Sequence, residues 1–369
     1  MLDKKQNTEG TPTQNNERPL IRVGITEGDP NGVSYELILR TFADNGMLDL
    51  CQPIIYGHPK IANYHKKALD IKIPINVTAS AKDLVLGQLN LVDCLDNNDI
   101  KVEYGVSNAE AGHASFMSLE RAVQDLKNGL IDVLVTSPIN KANIQSDQFH
   151  FVGHTEYLQD RLGNGTNESL MILCNKQMRI ALVTTHLPIS EVAFAITQDL
   201  IEQKTKLLYE SLIKDFNVSS PRIAVLSLNP HTGEGGLLGQ EEETIIIPAI
   251  KSLSDAGISC YGPYAADGFF GSANYKHFDG VLAMYHDQGL APFKALSMND
   301  GINFTAGLPF VRTSPDHGTA YDIAGRGIAN IDSFRESIFT AIDIFRNRKA
   351  YETAHKNPLP KLYQERRER

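Results

Sequence analysis

Short β-rich runs alternate along this chain with longer stretches of helical period, and no other feature restricts the fold as much. Strand-like runs occupy 21–26, 53–57, 75–79, 131–137, 170–175, 179–185, 222–228 and 280–285. Stretches of helical period lie at 34–46, 59–69, 109–128, 198–216, 240–256 and 331–349. This order predicts an α/β fold with largely parallel sheets, since parallel neighbours need a crossover long enough to hold a helix. No internal repeat interrupts the alternation. The polar stretch 137–157 has no clear period, and reads as a crossing between domains or as a loop lining a site.

Length adds a soft prior of two domains for 369 residues. Charge narrows the partners. With 35 basic and 44 acidic residues the net charge is −9, which argues against a nucleic-acid or anionic-membrane surface. Cys51, Cys94, Cys174 and Cys260 are scattered, so they read as free thiols in a reducing compartment. Residues 1–19 are polar, lack the apolar stretch of a secretory signal and are expected to be a disordered tail. No apolar run approaches the ~20 residues of a membrane span. A cytoplasmic protein is expected.

Three of the apolar runs end in a histidine set in a polar or Gly-rich turn. They are His186 in ALVTTHLP, His231 in AVLSLNPHTGEGG and His286 in GVLAMYHDQG. In open α/β sheets, ligands bind outside the carboxyl ends of the strands. One such histidine is more often structural than a ligand. Three in equivalent places could hold one divalent ion, and neutral imidazoles suit zinc or cobalt better than calcium. GHTEY (153–157) carries His154 and Thr155. Thr155 reads as the N-cap of a helix through Leu162, and with His154 as part of an anion site at that helix's N-terminus. Lys294, Asn303 and Arg312 each read alone as surface residues. Together, in apolar surroundings, they read as a phosphate clamp made of a point charge and a guanidinium fork. The Gly-rich loops NPHTGEGG (229–236) and DHGTAYDIAGRG (316–327) do not fit G-x-G-x-x-G, so a nucleotide site here would not be of the Rossmann type.

These motifs, in this order, resemble those of the PdxA family, the 4-hydroxythreonine-4-phosphate dehydrogenases. The resemblance runs from Ile21 to about Ala350 and rests on ITEGDPNG, TSPINK, GHTEY, TTHLPI, NPHTGEGG, AMYHDQGL and GLPFVRTSPDHGTAYDIAG. The last motif is also similar to a loop of isopropylmalate and isocitrate dehydrogenases that lies against the adenosine part of a dinucleotide. The resemblance implies two α/β/α domains of the isocitrate/isopropylmalate dehydrogenase-like type, 20–138 with 305–369 and 139–304. It implies an active site in the cleft between them and at the interface of a homodimer. It further implies one divalent ion per subunit (zinc, cobalt or magnesium) on His186, His231 and His286. A phosphorylated small-molecule substrate would be held by His154, Thr155, Lys294, Asn303 and Arg312. NAD or NADP would touch Gly233, Gly318 and Asp322. Lys141, in TSPINK, matches a family lysine near the reacting centre, and with Asp267 and Asp287 it is a candidate for the base. Two motifs depart from the usual form. GVSYE at Gly32–Glu36 stands where the family has GIGPE, and ADGFF at Ala266–Phe270 where it has ADTLF. Both changes bear on loop shape and substrate length.

The implied reaction is metal-dependent, NAD(P)-linked oxidation and decarboxylation of 4-phosphooxy-L-threonine to 3-amino-2-oxopropyl phosphate, in pyridoxal 5′-phosphate biosynthesis. Three other readings stay open. A sister dehydrogenase would act on another phosphorylated four-carbon hydroxy acid with the same residues. A metal-dependent hydrolase or aldolase would use the three imidazoles without a dinucleotide. A non-catalytic binding protein would be expected to have lost one of these side chains, and none is lost.

Overall fold

The computed structural model describes residues 20–95, 100–163, 165, 168–297 and 299–358. The polar stretch 1–19 and the charged end at 363–369 lie outside those residues. Twelve strands, counted among the described residues, form one sheet. They are β1 (Ile21–Thr26), β2 (Cys51–Gly57), β3 (Ile75–Thr78), β4 (Leu89–Asp93), β5 (Val133–Val135) and β6 (Leu170–Cys174). Then follow β7 (Arg179–Leu182), β8 (Ile223–Leu226), β9 (Cys260–Tyr264), β10 (Gly280–Ala283), β11 (Ile302–Ala306) and β12 (Arg312–Pro315). Their order across the sheet is β3-β4-β2-β1-β5-β12-β11-β6-β7-β10-β8-β9.

Neighbours pair in parallel except in the middle, where β11 is antiparallel to β12 and β6, and β6 is antiparallel to β7. The strands on either side of that seam therefore run in opposite directions. Most of β1, β2, β5, β6, β8 and β10 is buried, as strands covered on both faces must be. The helix Ala109–Lys127 covers β1 and β2, and Asn108 caps it by accepting from the Ala111 N–H at 2.9 Å. The long helix Asp332–His355 covers β5, β11 and β12, and the helix Gln198–Lys214 packs on the other half.

The eight apolar runs read from the sequence are all strands, within a few residues at their ends. Four strands carry no such signal. β11 (INFTA) and β12 (RTSP) are rich in polar residues, and β9 (CYGPY) contains Gly and Pro. β4 buries Asn90, whose amide donates to the carbonyls of Val85 and Gln88 and is thereby satisfied. The helical stretch at 240–256 opens with a π turn over Glu242–Ile246 before the helix Ile247–Asp255.

One buried acid gives the fold a pH dependence. Glu27, just after β1, accepts from the Tyr35 hydroxyl at 2.7 Å and the His58 N–H at 3.2 Å, while its Oε1 has no hydrogen-bond partner among the described residues. Burial pushes its pKa up to about 8 from an ordinary 4.5. Between those values the folded chain holds a proton that the unfolded chain has released. This contribution to stability is fully present below pH 4.5 and is lost as the pH rises through about 8. Glu27→Gln keeps the shape and cannot ionise. The stability loss between pH 5 and pH 8, measured by urea unfolding, is expected to be smaller in this variant than in the wild type. An equal loss in both would show that Glu27 is not the group responsible.

Candidate active site

The central seam builds a cavity lined by several of the sequence candidates. Strand side chains alternate faces, so Arg312 and Ser314, two apart on β12, share one face. The antiparallel register sets Asn303 of β11 opposite Ser314 and brings Thr305 beside Arg312. Arg312, Ser314 and Asn303 floor a cavity of about 240 Å³. The segment after β5 brings Lys141, and the start of the helix His154–Leu162 brings His154, Thr155 and Glu156. Lys294 enters from the helix His286–Leu296, and Gly318 from the loop after β12.

Arg312 is buried, and its hydrogen bonds go to hydroxyls rather than carboxylates. Thr136 Oγ1 accepts from Nε at 3.0 Å and Nη2 at 2.6 Å, and Thr305 Oγ1 accepts from Nη1 at 3.1 Å. Burial lowers its pKa to about 9, with Glu156 offsetting part of the shift, so it stays cationic at neutral pH. Among the described residues, His154 Nε2 and Asn303 Oδ1 are buried without hydrogen-bond partners. Burial, and then the charges of Arg312 and Lys141, hold the His154 imidazole well below its ordinary range, so it is neutral. Lys294 Nζ lies 3.3 Å from Asp316 Oδ1. Arg312, Lys141 and Lys294 outnumber the Glu156 and Asp316 carboxylates around one small cavity, and with the unpaired polar atoms they favour a compact anion.

The expected metal ligands converge in part. The His186 and His286 rings lie 6.0 Å apart between centroids and share a second cavity of about 410 Å³ with Asp287. Asp287 Oδ1 is 2.6 Å from His286 Nδ1, and Glu156 Oε1 is 3.5 Å from His186 Nδ1. The His186 contact is the chief cause holding Glu156 below the ordinary carboxylate range. His231 does not join the pair. It is exposed, on a loop whose His231, Thr232 and Glu234 all have left-handed backbone angles. Among the described residues, no three ligand-type side chains come together as a metal site. Two imidazoles flanked by carboxylates suit a borderline divalent ion as donor chemistry, and the third is absent from the cluster in a single chain.

The remaining sequence candidates scatter. Lys141 and Gly318 line the anion cavity, Asp287 lines the adjacent one, and Asp267, Gly233 and Asp322 line neither. Thr155 is not the helix cap. Gly153 occupies the N-cap and Thr155 sits inside the first turn, leaving its hydroxyl among the cavity-lining groups. Sequence reading missed Glu156, Thr136 and Ser314. Glu156 stands inside the GHTEY motif, and Ser314 follows from Arg312 by period two once β12 is known to be a strand.

The comparisons fall on this whole architecture. A family profile described as pyridoxal phosphate biosynthetic protein PdxA matches residues 49–341. A 4-hydroxythreonine-4-phosphate dehydrogenase from Bacteroides thetaiotaomicron is 59% identical over 352 residues, covering 95% of this chain and 96% of that protein. One from a Sulfurihydrogenibium species is 40% identical, covering 89% of this chain and 100% of its own. The crystal structure of the 4-hydroxythreonine-4-phosphate dehydrogenase from Klebsiella pneumoniae superposes with a TM-score of 0.76 at 31% identity, covering 88% of this chain and 99% of that one. The chain belongs to the PdxA family.

Proposed function

We propose that this chain oxidises and decarboxylates 4-phosphooxy-L-threonine with NAD or NADP, giving 3-amino-2-oxopropyl phosphate. The observation that carries this reading is Arg312, a buried cation without a carboxylate hydrogen-bond partner in a cavity that also holds Lys141 and Lys294. That cavity suits the phosphate end of the substrate, with Asn303, Thr155 and neutral His154 completing the contacts. Anchoring the phosphate fixes the distance to the carbon that loses hydride. NAD or NADP, when bound, would take the hydride, and Gly318, which lines the cavity, supports a cofactor role for the 316–327 loop. Lys141 and Asp287 are the two candidates nearest the chemistry for taking the alcohol proton. Loss of CO₂ then follows from the 3-oxo acid. A divalent ion (zinc, cobalt or magnesium) held by His186, His286 and a third imidazole would supply Lewis acidity at the reacting oxygen.

The test is formation of NADH or NADPH by purified protein given 4-phosphooxy-L-threonine, against a phosphorylated four-carbon hydroxy acid that lacks the amino group. Turnover of the second substrate alone would transfer the assignment to a sister dehydrogenase. We also propose a division into 20–138 with 305–369 and 139–304, since β1–β5 and β12 lie on one side of the seam and β7–β10 on the other.

The third imidazole is proposed to come from a second copy in a homodimer. Exposed apolar side chains flank both histidine loops, among them Ile189 and Phe194 near His186 and Leu237 near His231, with Phe194 88% exposed. Where such side chains join into one contiguous patch, they mark an association surface. Mixing inactive His186→Ala protein with inactive His231→Ala protein is then expected to restore activity. Half of the dimers are mixed at statistical exchange, and each mixed dimer has one intact site, so the ceiling is about a quarter of wild type. Absence of recovery after demonstrated subunit exchange would mean that both histidines serve the same chain's site.

A further inference from the structure

The loop after β1 is wedged between two others that reach the site. Gly28 has φ of 64°, and a Cβ there would meet the Pro138 carbonyl at 2.5 Å. A Cβ on Gly32 would meet the Thr319 carbonyl at 2.6 Å. Only chain without side chains passes this closely. Backbone bonds follow on both sides: Asp29 N–H donates to Pro138 at 2.9 Å, and Val33 N–H to Thr319 at 3.0 Å.

At the centre is the carboxylate of Asp29, fully buried. Its Oδ1 accepts from the Asn31 N–H at 2.9 Å. Its Oδ2 accepts from Asn143 Nδ2 at 2.9 Å and from the Tyr321 hydroxyl at 2.7 Å. The same hydroxyl accepts from Asn140 Nδ2 at 3.1 Å. Asn140 and Asn143 bracket Lys141, while Tyr321 belongs to the loop that carries Gly318 and Asp322. One carboxylate thus ties the lysine segment to the far loop, with no role of its own in either cavity.

We propose that Asp29, acting through Tyr321, is a positioning residue for the dinucleotide: the pair holds the 316–327 loop in its binding shape before the cofactor arrives. This rests on reading that loop as the dinucleotide's. A loop already ordered loses less freedom on binding, so the latch acts on cofactor affinity rather than on the substrate.

Tyr321→Phe removes one oxygen and keeps the ring. Amide hydrogen exchange over 316–327 in the full chain without ligands is expected to quicken about tenfold, and the Kd and KM for NAD⁺ to rise about tenfold. The substrate KM and kcat should stay within about twofold of wild type, a split that general loosening would not give. Asp29→Asn, which keeps shape and one acceptor oxygen, is expected to show a smaller cofactor defect than Asp29→Ala. Faster exchange with unchanged NAD⁺ affinity would overturn the proposal and leave the contact merely structural. Unchanged exchange in Tyr321→Phe would overturn it as well. Failure of the wild type to bind NAD⁺ or NADP⁺ would instead sink the dehydrogenase reading, and this proposal with it. Normal wild-type binding with unaffected variants would sink this proposal alone.

Discussion

Protein carrying Arg312→Met is expected to lose about 30- to 4,000-fold in kcat/KM for the phosphorylated substrate. The range corresponds to roughly 2–5 kcal/mol, the usual cost of truncating one member of a buried, hydrogen-bonded charge pair. Arg312 meets that condition once an anion is bound, because among the described residues its hydrogen bonds go to the Thr136 and Thr305 hydroxyls. Arg312→Lys should fall between, since an ammonium keeps the charge and loses the fork. The defect should appear in the substrate term and leave the Kd for NAD⁺ near wild type, as measured by calorimetry. A raised cofactor Kd with an unchanged substrate KM would move Arg312 into the cofactor site.

The second large effect is on metal content. His186→Ala or His286→Ala is expected to leave purified protein nearly free of zinc, cobalt and magnesium, and inactive. Circular dichroism should stay native, because both rings are partly exposed and line an open cavity, so their loss leaves no closed internal void. Outer-shell partners of metal ligands typically cost 10–100-fold in affinity when lost, so a direct ligand should cost more. Glu156→Gln should land in that outer-shell range, since Glu156 lies 3.5 Å from His186. Full metal occupancy in both histidine variants would refute the site.

The sequence disclosed the alternation of elements and singled out Asn303 and Arg312, yet not the strands that carry them. Asn303 and Arg312 stand out because charged and amide side chains sit among apolar neighbours. Those same side chains hide β11 and β12, since a strand lined with polar groups for a ligand no longer reads as an apolar run. Glu156 escaped because its partner His186 is distant in sequence, and their meeting is a tertiary event. The three histidines show the opposite limit. Equivalent positions at strand ends fix the type of place each occupies, not the distances between them, so His231 could be named and still stand apart from the other two.

The central seam also sets the order in which a nascent chain can be completed. β5 waits for β12, and β6 waits for β11, although nearly the whole polypeptide is made before residues 302–315 appear. Until then both halves present an open strand edge, the kind of surface that recruits other chains. Synthesis that stalls near residue 300 would therefore release a sticky intermediate rather than half an enzyme. The strands that floor the anion cavity are also the closing stitch of translation.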